Sequence, residues 1–86
     1  MYKLNYYGRL IADNANEEQK FEYNGKGETF RLRRNALLYL FDIVQNEYRE
    51  RGYATEKRVG SLYCYKSIKT AEGNRKIMEI LIKVEK

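Results

Sequence analysis

NALLYLFDIVQNEYRERG, residues 35–52, is the stretch on which the reading of this chain turns. Leu37, Leu40, Phe41, Val44 and Tyr48 recur at i, i+3, i+4, i+7 and i+11, which puts them on one face of a helix. Asp42, Gln45, Asn46, Arg49 and Glu50 fall on the opposite face. Asn35 has the side chain of an N-cap residue, able to accept from an orphan backbone N–H. Gly52 fits the position just past the end, where a left-handed residue stops a helix. Arg49 and Arg51 lie in the last turn, where positive charge suits the dipole. The spacing predicts an amphipathic helix over 36–51.

Outward from the helix, the pattern has period two. Tyr2, Leu4, Tyr6, Leu10 and Ala12 alternate with Lys3, Asn5, Tyr7, Arg9 and Ile11, the signature of a half-buried strand. Asp13 to Glu18 reads as a polar loop. Residues 19–33 read as a hairpin: Phe21 and Tyr23 alternate with polar neighbours, Asn24-Gly25-Lys26-Gly27 carries turn chemistry, and Phe30 and Leu32 alternate with Thr29, Arg31 and Arg33. Beyond the helix, residues 59–69 are rich in β-formers. Leu62, Cys64 and Ile68 share one face, and Tyr63, Tyr65 and Ser67 the other; the pattern leaves open which is buried. Ala71-Glu72-Gly73-Asn74 is a turn, followed by Met78, Ile80, Ile82 and Val84 alternating with Glu79, Leu81, Lys83 and Glu85. Ile77 and Leu81 on the nominal outer face suggest a central strand covered on both sides. The expectation is an α+β fold in a single small domain, residues 1–86. It has an antiparallel sheet of about five strands, order β-β-β-α-β-β, with the helix packed on one face.

Composition narrows the function. The 86 residues include no histidine, proline or tryptophan, one cysteine and nine tyrosines, with a formal charge of +5. Without histidine the chain lacks the side chain that titrates near neutral pH and most often binds metals. Cys64 and the serines have no histidine to activate them, and no zinc-ligand spacing occurs. Glu17, Glu18 and Glu22 are better read as a solvated acidic loop than as a cation site. A non-enzymatic protein with no catalytic residues, metal or cofactor is expected. The lone Cys64 cannot form an internal disulfide, and no apolar run approaches a membrane span, so a cytoplasmic, non-membrane protein is expected. The abundance of Lys, Asn, Tyr, Ile and Glu suits a low-GC bacterium, its phages or its plasmids.

The positive signal is cations interleaved with tyrosines. Lys3, Tyr7 and Arg9 occupy the outer face of the first strand, Arg31 and Arg33 that of the third, and Arg34 follows. Tyr63, Tyr65 and Lys66 lie in the second hairpin, with Lys57, Arg58, Lys69, Arg75 and Lys76 around it. Cations contact phosphates and tyrosines stack on bases, so these positions are the expected contact residues for DNA or RNA. The same cations also serve solubility and edge protection. Arg51-Gly52-Tyr53-Ala54 matches the first half of the RNA-recognition RNP1 pattern, but Thr55 to Arg58 break it, and Gly52 already has a capping reason.

At the level of architecture, a three-stranded sheet followed by a helix resembles the arm-type DNA-binding domains of phage integrases. The final hairpin departs from that plan. The size and class also resemble small phage inhibitors of host defence nucleases. The expectation leans to a nucleic-acid-binding module. The alternative is a phage or mobile-element accessory protein that inhibits a host nucleic-acid-handling complex, because tyrosine and arginine are equally the residues of protein hot spots. A third reading is a homodimer assembled through the last strand.

Overall fold

The computed structural model describes residues 1–12, 18–69, 73 and 75–86, with side chains described outside 11–27. Five strands form one antiparallel sheet: β1 (Tyr2–Ala12), β2 (Glu18–Phe30), β3 (Ala54–Arg58), β4 (Ser61–Lys69) and β5 (Arg75–Glu85), in spatial order β2-β1-β5-β4-β3. One continuous helix joins β2 to β3, crossing from one sheet edge to the other. It consists of α1 (Arg33–Tyr39), a π-helical turn (Leu40–Val44) and α2 (Gln45–Glu50).

The α+β class, the antiparallel five-stranded sheet and the single helix agree with the sequence reading, but the order is β-β-α-β-β-β. Two local readings account for the difference. Asn24–Gly27 is not a hairpin turn. Residues 18–30 form one strand paired with β1, and the register shifts between Lys3, which faces Thr29, and Asn5, which faces Asn24. The glycines serve an irregularity within a strand, a use that shares the backbone freedom of a turn. The compensating strand is β3, whose polar sequence Ala-Thr-Glu-Lys-Arg has no apolar alternation because it is a short edge strand. The loop expected from Asp13 lies outside the described residues apart from Glu18, which opens β2. The turn at Ala71–Asn74 also lies outside them apart from Gly73, at φ +82.

Helix burial decides the sheet's two sides. Ala36, Leu40, Val44 and Tyr48, four residues apart, are buried against Leu4, Leu62, Cys64 and Ile82. Leu37 and Phe41, expected in the core, are only half-buried because they lie beside that stripe, towards β3 and Lys57. The wide turn at Leu40–Val44 rotates the helix midway and brings Gln45 inside, 3% exposed. With its amide turned to satisfy both ends, Gln45 donates to the Phe41 carbonyl (2.8 Å). Its oxygen accepts from Arg49 Nη2 and Thr55 Oγ1 (both 2.9 Å), tying the helix to β3.

The helix begins differently from the expectation. Leu32, extended at φ −114 and ψ 138, is the N-cap residue, and its carbonyl accepts from the amides of Asn35 and Ala36. Asn35 is therefore inside the first turn, and no side chain caps the end. The other end agrees with the reading. Gly52 sits at φ +89, its amide donates to Arg49 O (3.0 Å), and the Tyr53 amide donates to Tyr48 O (3.0 Å). That pair of bonds is a Schellman motif. Its accompanying apolar contact is the edge-on packing of Tyr53 against Tyr48, centroids 5.1 Å apart.

Val59 and Gly60 turn β3 into β4, with Gly60 at φ +71 and its carbonyl accepting from Val84 N (3.0 Å). A Cβ on Gly60 would stand 2.8 Å from Arg33 Nη2, but the guanidinium is the end of a flexible chain and can move. The backbone cannot, so Gly60→Ala is expected to cost about 1–2 kcal/mol from the left-handed conformation alone. The check is a melting comparison of Gly60→Ala with the double variant Gly60→Ala/Arg33→Ala. Removing the guanidinium should restore none of the loss. A full rescue would place the cost in the side-chain clash instead.

The molecule is elongated. Its radius of gyration is 14.1 Å and its long axis 45 Å, against roughly 12 Å expected for a compact chain of this length. The buried core gathers where β1 begins and β5 ends. Leu10, Ile68 and Met78 share the helix-side register further along the sheet but lie outside that core. Among the described residues, no helix is long and apolar enough to cross a membrane.

Candidate functional site

The side chains that alternate with the core point to the sheet face opposite the helix. Because Leu62, Cys64 and Ile82 face the helix, Tyr63, Tyr65, Leu81 and Glu79 must face away from it. Strand register arranges this open face in rows. The first row runs Arg58, Ser61, Lys83, Asn5, and the second Glu56, Tyr63, Leu81, Tyr7. The third runs Ala54, Tyr65, Glu79, Arg9. Beyond the end of β3, Ser67 stands opposite Ile77, and Lys69 opposite Arg75.

The contacts form two networks. Tyr63 and Tyr65 stack with centroids 5.4 Å apart and planes 28° from parallel, and the Arg58 guanidinium lies 4.4 Å from the Tyr63 centroid. Arg58 stands at the level of Ser61, so it approaches Tyr63 from one end of the strand and Tyr65 from the other. Glu79 sits between the tyrosines and Arg9, whose Nη2 donates to its Oε2 at 2.8 Å. Partial burial, then the Glu79 carboxylate, raises the Tyr63 hydroxyl above its ordinary pKa. On the other side, the Tyr7 hydroxyl donates to Glu85 Oε1 (2.7 Å), and Lys83 Nζ lies 5.4 Å from the Tyr7 centroid. Arg58 also stands 3.5 Å from Glu56. Towards the far end, Lys69 and Arg75 have no ion pair among the described residues, and β2 brings Glu18 opposite Ile11 in the row of Ser67 and Ile77.

Of the residues singled out from sequence, Lys3, Tyr7, Arg9, Tyr63 and Tyr65 share the open face, Lys3 opposite Glu85 at its end. Four do not. Arg31 lies in the bend after β2 rather than on a third strand, and Arg33 and Arg34 begin the helix, because the strand ends at Phe30. All three are exposed. Arg33 and Arg34 occupy the positive end of the helix dipole, so helix stability does not explain them. Lys66 points to the helix side, since its register partner is Met78. Its Nζ donates to the Arg51 carbonyl (3.3 Å) and lies 4.5 Å from the Tyr53 centroid, so it caps the helix C-terminus.

The sequence reading set Glu79, Lys83 and Glu85 on the outer side of the last strand, with Leu81, but did not count them among the contact residues. Arg58 could not be placed without β3.

A groove lies on the other side of the molecule. Arg34, Leu37, Leu38, Phe41, Asp42 and Lys57 line this groove of about 570 Å³ between the helix and β3. Lys57 Nζ is 5.4 Å from the Phe41 centroid, and Leu38 is 66% exposed. Among the described residues, no three acidic or cysteine side chains gather as a metal site would need. Cys64 is wholly buried, and burial raises its thiol to about 11, which removes it as a nucleophile. Comparison of the chain with protein-family models, curated proteins and solved structures finds no match.

Proposed function

We propose that the chain is a non-enzymatic nucleic-acid-binding module whose contact surface is the open face of the sheet. The observation that carries this reading is the ladder of Arg58, Tyr63 and Tyr65 on the side that no helix covers. A guanidinium, two tyrosine rings and flanking cations are the parts from which sequence-tolerant binding is built: phosphates meet cations and bases meet rings. Three carboxylates of the face are engaged by its own side chains: Glu56 stands 3.5 Å from Arg58, Glu85 accepts from the Tyr7 hydroxyl, and Glu79 meets Arg9. Glu79 holds Arg9 and Tyr63 in place and is itself offset by the arginine. Cytoplasmic residence belongs to the same proposal.

The test is fluorescence anisotropy with labelled single-stranded DNA, duplex DNA and RNA between about 50 and 200 mM salt, where counterion release gives phosphate contacts a steep slope. Arg58→Gln should weaken binding and reduce the salt slope by about one. Arg31→Gln/Arg34→Gln, which lies off the face, should change affinity less. No binding at the lowest salt would overturn the reading.

A second reading is the inhibitor of a nucleic-acid-handling complex, supported by the groove between the helix and β3. Its apolar floor of Leu37, Leu38 and Phe41, with Arg34 and Lys57 at the rim, has the composition of a protein contact. A homodimer through the last strand would meet at the open face carrying Ile77 and Leu81, because β1 and β4 flank β5 in the sheet.

A further inference from the structure

The Arg58–Tyr63–Tyr65 ladder has one closed end and one open end. Arg58 covers Tyr63, Tyr65 covers its other side, and the outer side of Tyr65 faces the next row, where the residue is Ser67. Tyr65 is 43% exposed. Same-face residues on a strand lie about 6.6 Å apart. A serine between Tyr65 and Lys69 therefore leaves a gap deep enough for a planar group stacked on the tyrosine. Its floor is Ser67 and half-buried Ile77, and β3 does not extend far enough to wall it off. At its far side Lys69 and Arg75 stand directly opposite each other, both exposed. Like charges at opposed positions destabilise a sheet, and a phosphate between them would reverse that cost.

We propose that this gap is a nucleotide subsite for single-stranded nucleic acid. One base stacks on the outer face of Tyr65 above Ser67 and Ile77, and its phosphate lies between Lys69 and Arg75. The inference rests on the nucleic-acid reading and narrows it to an unpaired strand, since a base inside a duplex cannot offer its face to a side chain.

The probes are fluorescein-labelled oligo-dT and oligo-rU, the duplex of the same length, and an oligonucleotide with every base removed. The two labelled strands separate a DNA source from an RNA source of the same chemistry. Tyr65→Phe keeps the ring and should bind like the parent. Tyr65→Leu keeps bulk without the π face and should lose roughly ten- to a hundredfold in affinity for the single strands. Lys69→Gln/Arg75→Gln should weaken binding and reduce the salt slope by more than one. All these side chains lie outside the core, and melting curves of the variants verify the fold. If the parent binds none of the probes, the nucleic-acid reading falls and the subsite with it. If the parent binds, but Tyr65→Leu matches it, or the abasic strand or the duplex binds as tightly, the subsite falls while the broader reading stands.

Discussion

Ile82→Ala is expected to be the most damaging single substitution in the sheet, lowering the melting midpoint by roughly 10–30 °C. Ile82 is fully buried on the central strand, paired with Tyr6 on one side and Leu62 on the other, under Leu40 and Val44 of the helix. Truncating such a side chain removes its transfer free energy and leaves a cavity, at a cost of about 2–5 kcal/mol. A domain of this length has on the order of 4–13 kcal/mol in total. The neighbouring Leu81→Ala is the control. Leu81 is half-buried on the open face, and its loss should shift the midpoint by less than half as much. The measurement is thermal unfolding followed by circular dichroism at several protein concentrations. Equal losses for the two variants would mean that the open face is covered in solution by a second copy. A concentration-dependent midpoint would say the same, and the face would then not be free to bind nucleic acid.

The contrast between Ile82 and Leu81 also shows how much of the fold is legible in the sequence alone. The helix is, because Leu40, Val44 and Tyr48 repeat at its period and Gly52 marks its end. The long strands are, because their apolar residues alternate. What failed were segments whose local chemistry has two uses. Asn24–Gly27 suits a turn or a strand irregularity, and pairing with β1 over the whole of β2 decided for the second. Ala54–Arg58 carries no apolar period, since an edge strand needs only backbone partners on one side. The site followed the fold. Lys3, Tyr7, Arg9, Tyr63 and Tyr65 lie on regular strands, where parity alone assigns the face, and they fell together. Arg31, Arg33 and Arg34 were misplaced with the strand that carried them. For Lys66, parity already grouped it with Leu62 and Cys64; its charge argued for solvent, and the helix C-terminus satisfied that charge instead.

Stability should fall on the alkaline side, starting near pH 9. Two buried acids hold their protons more tightly in the fold than in the open chain. Cys64 has an ordinary value of 9 and is raised to about 11 by burial. Tyr48 is raised above 10, chiefly by burial and further by Tyr6 and Cys64. A neutral acid whose native pKa is raised contributes fully below its unfolded pKa, and that contribution is lost as pH climbs towards the native value. From pH 9 to 11 the unfolded chain releases the Cys64 proton while the folded chain keeps it, so unfolding becomes easier by on the order of 2–3 kcal/mol. Tyr48 adds to the loss from pH 10. The measurement is urea denaturation at half-unit steps from pH 7 to 11 on the parent and on Cys64→Ala. The variant should start lower, because it loses a buried sulfur. It should also stay flatter between pH 9 and 10, where Tyr48, with an ordinary value of 10, contributes only the start of its loss. Parallel curves over that interval would show that Cys64 ionises equally easily in both states, and that the thiol is open to solvent on the helix side of the sheet.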